Sequence, residues 1–373
     1  MKFKTKYILI IFIFLLLTIL YFGDNQVLAA ESGRIINGMI YNIKNVNSGK
    51  YLNVNLATDA NGTNVNQWTG DGSQEQKFRV VYYNRYGNED AYRIYPMCSS
   101  KGGNRVLDVL RTGGSASGSI VSGNNVDIWT TGDDDCQFFI ITMESSSNNI
   151  FKFSIKLKSN PNLALTAYGT GNGSGAGNTS TSAGNVYIST WTGSNSQLWT
   201  FEEVSGTPAY PYRMTKGIGY QTYYVDSTAS KYSSYISNGA SRWNPTVILS
   251  QASTNASTAV DFYEVGNDHF NNVANLGNWL AATTYHTPSH DNILYPEYNG
   301  WNFSKVSINK DKYLTVDYIT TDQRYGVIAH EIGHAFGLQH FKRTSSLMYP
   351  TINVSGVPTT PQTIDRQGLT YKY

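Results

Sequence analysis

His330-Glu331-Ile332-Gly333-His334-Ala335-Phe336-Gly337-Leu338-Gln339-His340 decides the fold of the C-terminal half. Residues four apart on an α-helix lie about 40° apart around its axis, so His330 and His334 share one face. Neutral imidazole is a common zinc ligand, and zinc takes four ligands in a tetrahedron. Glu331 follows the first ligand, where it can reach a metal-bound water without ligating the metal itself. Gly337 is the natural stop for the helix, because glycine enters the left-handed conformation cheaply. The chain can then turn and present His340 as a third ligand. A fourth position left open for water marks a catalytic site rather than a structural one.

Working outward, Thr320 and Gln323 form a Thr-x-x-Gln capping pair that starts the metal helix near Thr320. Ile328, Ile332, Ala335 and Phe336 fall opposite the His face and are expected to pack on a sheet. Gly219–Val225, Val260–Val265 and Lys305–Asn309 read as strands, Ser230–Trp243 as an amphipathic helix, and Asp365–Tyr371 as a final short helix.

The eleven-residue motif, followed by Ser346-Leu347-Met348-Tyr349-Pro350, resembles the metzincin metallopeptidases and, among them, the matrixins. Met348 comes eight residues after His340, where the family has its Met-turn under the metal. The resemblance covers roughly residues 210–373 and implies an α+β, zincin-like catalytic fold. It implies one catalytic Zn2+ on His330, His334 and His340, with Glu331 as general base and then general acid in peptide-bond hydrolysis. It also implies that Pro350, Thr351 and Ile352 line the pocket for the residue after the cut. A calcium ion is common in that family, but no loop here shows a ligand pattern for it. His286, His290 and Asp291 offer a second zinc site at a spacing unlike the family's. No Cys stands near a propeptide position, which argues against latency by a cysteine switch.

The N-terminal half repeats. Asn64-Val65-Asn66-Gln67-Trp68-Thr69-Gly70 returns as Asn125-Val126-Asp127-Ile128-Trp129-Thr130-Thr131-Gly132 and as Asn185-Val186-Tyr187-Ile188-Ser189-Thr190-Trp191-Thr192-Gly193. Each copy closes on Gln-x-aromatic: Gln76-Lys77-Phe78, Gln137-Phe138-Phe139 and Gln197-Leu198-Trp199. Alternating apolar residues between Gly/Asn/Ser turns give short antiparallel strands. Three such copies resemble the ricin-type β-trefoil lectins. The features common to all copies, the Trp and the Gln-x-aromatic closures, read as fold-building core. The features that vary read as binding residues. The lectin resemblance implies an acid, an aromatic platform and a polar closing residue around one sugar, a set that Asp108, Asp127, Trp129 and Gln137 of repeat two keep best. Repeat one has Asn53, Asn66, Trp68 and Gln76; repeat three has Ala164 at the acidic place and is expected to be inactive.

Lys2, Lys4 and Lys6, an apolar run from Ile8 to Phe22, and Val27-Leu28-Ala29-Ala30 form a secretory leader. Its removal takes the formal net charge of +2 to zero, which speaks against nucleic-acid or anionic-membrane partners. No later stretch is apolar enough to span a membrane. Cys98 and Cys136 are the only cysteines; a disulfide between them and two free thiols are both open readings.

The expected architecture is multidomain. Residues 1–30 are a signal peptide, 31–205 an all-β trefoil that binds carbohydrate, and 206–373 a matrixin-like metallopeptidase. The expected protein is a secreted, extracellular monomer that cleaves protein or glycoprotein substrates. The alternative is a glycan-binding adhesin with an auxiliary or inactive protease half.

Overall fold

The computed structural model describes residues 34–83, 91–99, 104–115, 117–148, 150–173, 183–204, 206–274, 279–293, 296 and 299–373. The leader expected over residues 1–30 lies outside them. Ile35–Tyr373 form one compact unit. Among the described residues no helix is long and apolar enough to cross a membrane.

Twelve strands build the first sheet: β1 (Met39–Asn45), β2 (Tyr51–Val54), β3 (Thr63–Trp68), β4 (Lys77–Tyr83), β5 (Ala91–Pro96), β6 (Arg105–Val109), β7 (Val126–Thr130), β8 (Phe139–Ser147), β9 (Ile150–Leu157), β10 (Asn160–Ala167), β11 (Val186–Thr190) and β12 (Leu198–Glu203). Strand β1 pairs with β4, β4 with β5, β5 with β8, β8 with β9, β9 with β12, and β12 returns to β1. That ring closes a six-stranded antiparallel barrel and leaves it no open edge. The hairpins β2–β3, β6–β7 and β10–β11 complete three four-stranded repeats, a β-trefoil. The closing aromatics Phe78, Phe139 and Trp199 are fully buried, as expected of a core.

The residue that opens each recurring motif meets its two counterparts. Asn64 Nδ2 donates to Asn185 Oδ1 at 3.0 Å, Asn185 to Asn125 at 2.7 Å, and Asn125 to Asn64 at 2.8 Å. This buried ring of three amides gives each side chain one donor and one acceptor bond, so desolvation orphans none of them.

The second sheet has the order β14-β13-β15-β18-β16-β17, with β13 (Gly219–Val225), β14 (Val247–Gln251), β15 (Val260–Val265), β16 (Ala281–His286), β17 (Asn292–Ile293) and β18 (Phe303–Asn309). Strands β13, β14, β15 and β18 run parallel, whereas β16 runs antiparallel to β18 and β17 to β16. Its helices are α1 (Ser233–Ser241), α2 (Asn267–Ala274), α3 (Thr321–Ala335) and α4 (Thr363–Thr370). The metal helix is α3, and both halves of the Thr320/Gln323 capping box form. The helix read from Ser230 begins as a 3-10 turn, Ser227–Tyr232, before α1.

Helix α3 packs on β16, β18 and α1. Two buried indoles fasten it: Trp243 Nε1 donates to Ala329 O at 2.8 Å and Trp301 Nε1 to Ala335 O at 2.9 Å. Ile328, Ile332, Ala335 and Phe336 are all buried. The ligand-bearing helix is therefore held on a rigid scaffold, which suits a site that must keep its geometry.

One expectation needs correcting, and one open alternative is decided. Trp68 and Trp129 recur but are not core: they are 38% and 43% exposed, presenting their rings to solvent. Each stands three residues after a buried valine, Val65 or Val126, so the two-residue alternation of a strand turns it to the outer face. The cysteines form no disulfide; both are free. Cys136 is buried and its Sγ points at Asp108 Oδ1, 3.0 Å away, whereas Cys98 lies beside the carboxylates of Glu75 and Asp59.

Candidate metal centre and carbohydrate cleft

His330, His334 and His340 converge. Ring centroids stand 4.7 Å apart for His330–His334 and His334–His340, and 5.3 Å for His330–His340. Each offers one nitrogen, and these nitrogens lie within 4.8 Å of one another. His330 Nδ1 lies 2.8 Å from Leu347 O, and His334 Nδ1 2.7 Å from Leu338 O. A carbonyl can only accept, so both Nδ1 atoms carry the proton and both Nε2 lone pairs are left for a metal. Burial lowers the basicity of all three imidazoles, and mutual repulsion lowers it further for His334 and His340. His340 is exposed overall, but its edge toward the other two rings is desolvated. Three neutral imidazoles, two of them with preset tautomers, fit a zinc ion.

Gly337 ends α3 at φ +92°, and its N–H bonds His334 O at 2.7 Å. Gly333 has a separate reason to lack a side chain. A Cβ there would stand 2.5 Å from the Sδ of Met348, which is buried against the helix. Leu347 O, the acceptor for His330, is held in turn by Asp365. That buried carboxylate accepts from Ser346 Oγ at 2.5 Å, Thr207 Oγ1 at 2.8 Å, Gln362 N at 2.9 Å and Leu347 N at 3.0 Å. Pro350 and Ile352 are half-buried and Thr351 exposed; Ile352 O meets Gln323 Nε2 at 3.4 Å.

Glu331 is buried, and burial pushes its carboxyl up to about 7, against the opposing bond from Thr283. Thr283 Oγ1, on β16, lies 2.6 Å from Glu331 Oε2. Sequence reading missed both Thr283 and Asp365. His286 does not join a second zinc site: its Nε2 lies 2.9 Å from Thr284 Oγ1 and its Nδ1 3.3 Å from His290 O, while its ring stacks on Phe303. Among the described residues the three imidazoles are the only cluster placed to hold a metal.

In repeat two, Asp108 and Asp127 face each other in register across β6–β7. Asp108, Trp129, Gln137, Arg111, Asp134 and Cys136 help line a cleft of about 270 Å³. Asp127 lies behind Asp108, buried, with no hydrogen-bond partner on its Oδ1. Burial and then repulsion from Asp108 push its carboxyl up to about 8. Gln137 has a structural duty as well: it donates to Thr130 O at 3.0 Å and accepts from Gly132 N at 2.9 Å, as Gln76 and Gln197 do in their loops. In repeat three, Lys156 Nζ stands 4.2 Å over the Trp191 ring and covers one of its faces.

Fold and site thus define a two-part chain: a lectin-like β-trefoil and a zincin-like region with a three-imidazole cluster. Residues 215–373 match the family model described as Matrixin, and residues 25–121 match that of the ricin-type beta-trefoil lectin domain-like family. The pair supports a zinc metallopeptidase carrying a carbohydrate-binding type of module. No curated protein matches the chain. Similar solved structures include the designed threefold-symmetric protein ThreeFoil, at 22% identity over 44% of this chain and 99% of that one, TM-score 0.34. The Rhizoctonia solani agglutinin is 18% identical over 46% and 99%, TM-score 0.34. The C-half of the earthworm R-type lectin is 15% identical over 44% and 99%, TM-score 0.28.

Proposed function

We propose that the protein is a secreted zinc endopeptidase, directed to glycan-bearing substrates by its trefoil. The leader 1–30 is removed, 31–205 bind carbohydrate and 206–373 cut protein, as an extracellular monomer. The observation that carries this reading is the convergence of three imidazoles, two on a capped helix with a buried glutamate and the third on the turn that follows it.

Zinc bound by His330, His334 and His340 supplies Lewis acidity and an acidified water. Leu347 O and Leu338 O hold the imidazole tautomers. Glu331 takes a proton from the attacking water on its carboxylate and delivers it to the departing amine. Thr283 fixes Oε2 of that carboxylate in one rotamer. Met348 closes the space under Gly333. Pro350, Thr351 and Ile352 form the wall beside the departing residue. In the trefoil, Trp129 offers an apolar ring face and Asp108 an acceptor for a sugar hydroxyl, while Gln137 Nε2 donates to Asp108 Oδ1 at 3.0 Å and orients it.

Glu331→Ala tests the enzyme reading. The variant should retain zinc by elemental analysis and lose cleavage of a protein substrate; a fully active variant refutes the mechanism. The same inactive full-length variant on a glycan array tests the targeting, and failure to retain any glycan would refute that part alone.

A further inference from the structure

The third imidazole, His340, does not stand on α3. It stands on the turn after Gly337, and that turn is braced from outside the second sheet. Tyr210 N donates to Gly337 O at 3.0 Å and Gln339 N to Pro208 O at 2.8 Å. Ala209 and Leu338 thereby form an antiparallel bridge between the segments 208–210 and 337–339. The other side of 208–210 is gripped by the barrel. Ala209 N donates to Gly38 O at 3.2 Å, and buried Arg79, on β4, donates from Nη1 to Ala209 O at 2.7 Å and Tyr210 O at 3.4 Å. Lys372 Nζ reaches Tyr210 O at 2.6 Å from the C-terminus. Gly38 has φ +76°, and a Cβ there would stand 2.7 Å from both Ala209 O and Gln339 Nε2. Three residues past His340, Arg343 pairs with Glu203 at the end of β12.

Segment 208–210 is therefore a strand shared by the barrel and the ligand-bearing turn. We propose that the trefoil is a structural part of the metal centre: Arg79 and Gly38 are positioning residues for His340, acting through 208–210. This role is separate from sugar binding, and it rests on the zinc reading above. A ligand on a turn keeps its place only as well as the groups behind it. Loss of such outer support typically weakens metal binding about 10–100-fold. Arg79 suits the task because a guanidinium can serve two carbonyls at once from a fixed plane.

The test uses full-length protein, with zinc affinity read by competition with a chromophoric chelator and ligand geometry read from the visible spectrum after cobalt substitution. Arg79→Met removes the clamp, and Gly38→Ala instead pushes on Ala209 and Gln339 with Arg79 intact, so the two variants perturb the brace independently. Both should bind zinc about tenfold or more weakly and show an altered cobalt spectrum. Met143→Ala, at an exposed barrel position, should match wild type in both. Wild-type zinc affinity and cobalt spectrum in both brace variants would overturn the proposal. If wild type itself binds no zinc, the zinc reading fails first and takes this inference with it.

Discussion

The Asp108–Asp127 pair predicts an unusual pH dependence of stability. Asp127 is buried, in register with a second carboxylate, and its Oδ1 has no partner. Burial comes first and Asp108 second in raising it to about 8 from 3.8. The folded state then holds a proton on Asp127 that the unfolded state releases near pH 4, so between about pH 4 and 8 the native state binds more protons. Stability must fall as pH rises through that window and level off above 8. At ~1.4 kcal/mol per unit, a rise of about four units caps the effect near ~6 kcal/mol. The coupled pair and the adjoining cleft reduce this, and we expect about 2 kcal/mol between pH 5 and 8. Asp127→Asn keeps the shape without the charge and should abolish this component. For a chain of 373 residues 2 kcal/mol is about 3 °C in Tm. The assay is Tm from pH 5 to 8 for both proteins, because other titrating groups cancel in the difference. A wild-type-minus-variant Tm difference that stays constant across that range would refute the assignment of a neutral Asp127.

Thr283→Val should lower kcat about tenfold with KM and zinc content unchanged, because one charge-assisted bond to Glu331 is lost; Thr283→Ser should restore it, and an unaffected kcat counts against the tether. Trp129→Ala should abolish glycan retention on an array while Trp191→Ala leaves it intact, since Lys156 already covers Trp191; equal losses in both would disprove the single-site reading.

How much of this was legible in the sequence depended on the range of the interaction. The capping box, the ligand helix and the Gly337 stop need only neighbours on one helix, and all three stood in the chain as read. The trefoil was legible because it is written three times. Thr283 was not, for it reaches Glu331 across 48 residues and only the register of β16 on β18 brings it there. Asp365 reads locally as a helix-capping acid, and its grip on Ser346 and Leu347 appears only once the last helix docks.

Recurrence proved to have two physical origins. Asn64, Asn125 and Asn185 recur because each completes a bond to the next, so the geometry of the axis needs all three together. Trp68 and Trp129 stand four residues after Asn64 and Asn125, but Trp191 stands six after Asn185, past the end of β11, and their environments differ: two rings face solvent and the third has Lys156 Nζ over it. Comparing repeats therefore separates the two cases only after contacts are known. A recurring residue that touches its own copies maintains the symmetry, whereas one that touches different neighbours in each copy is free to diverge in function. By that criterion the sugar site proposed above falls in repeat two, where an acidic pair and an exposed indole lie on one hairpin. In repeat three Thr166, not Ala164, stands at the place of Asp108, Lys156 lies over Trp191, and the hairpin β10–β11 pairs with β9 and supplies Asn185 to the amide ring.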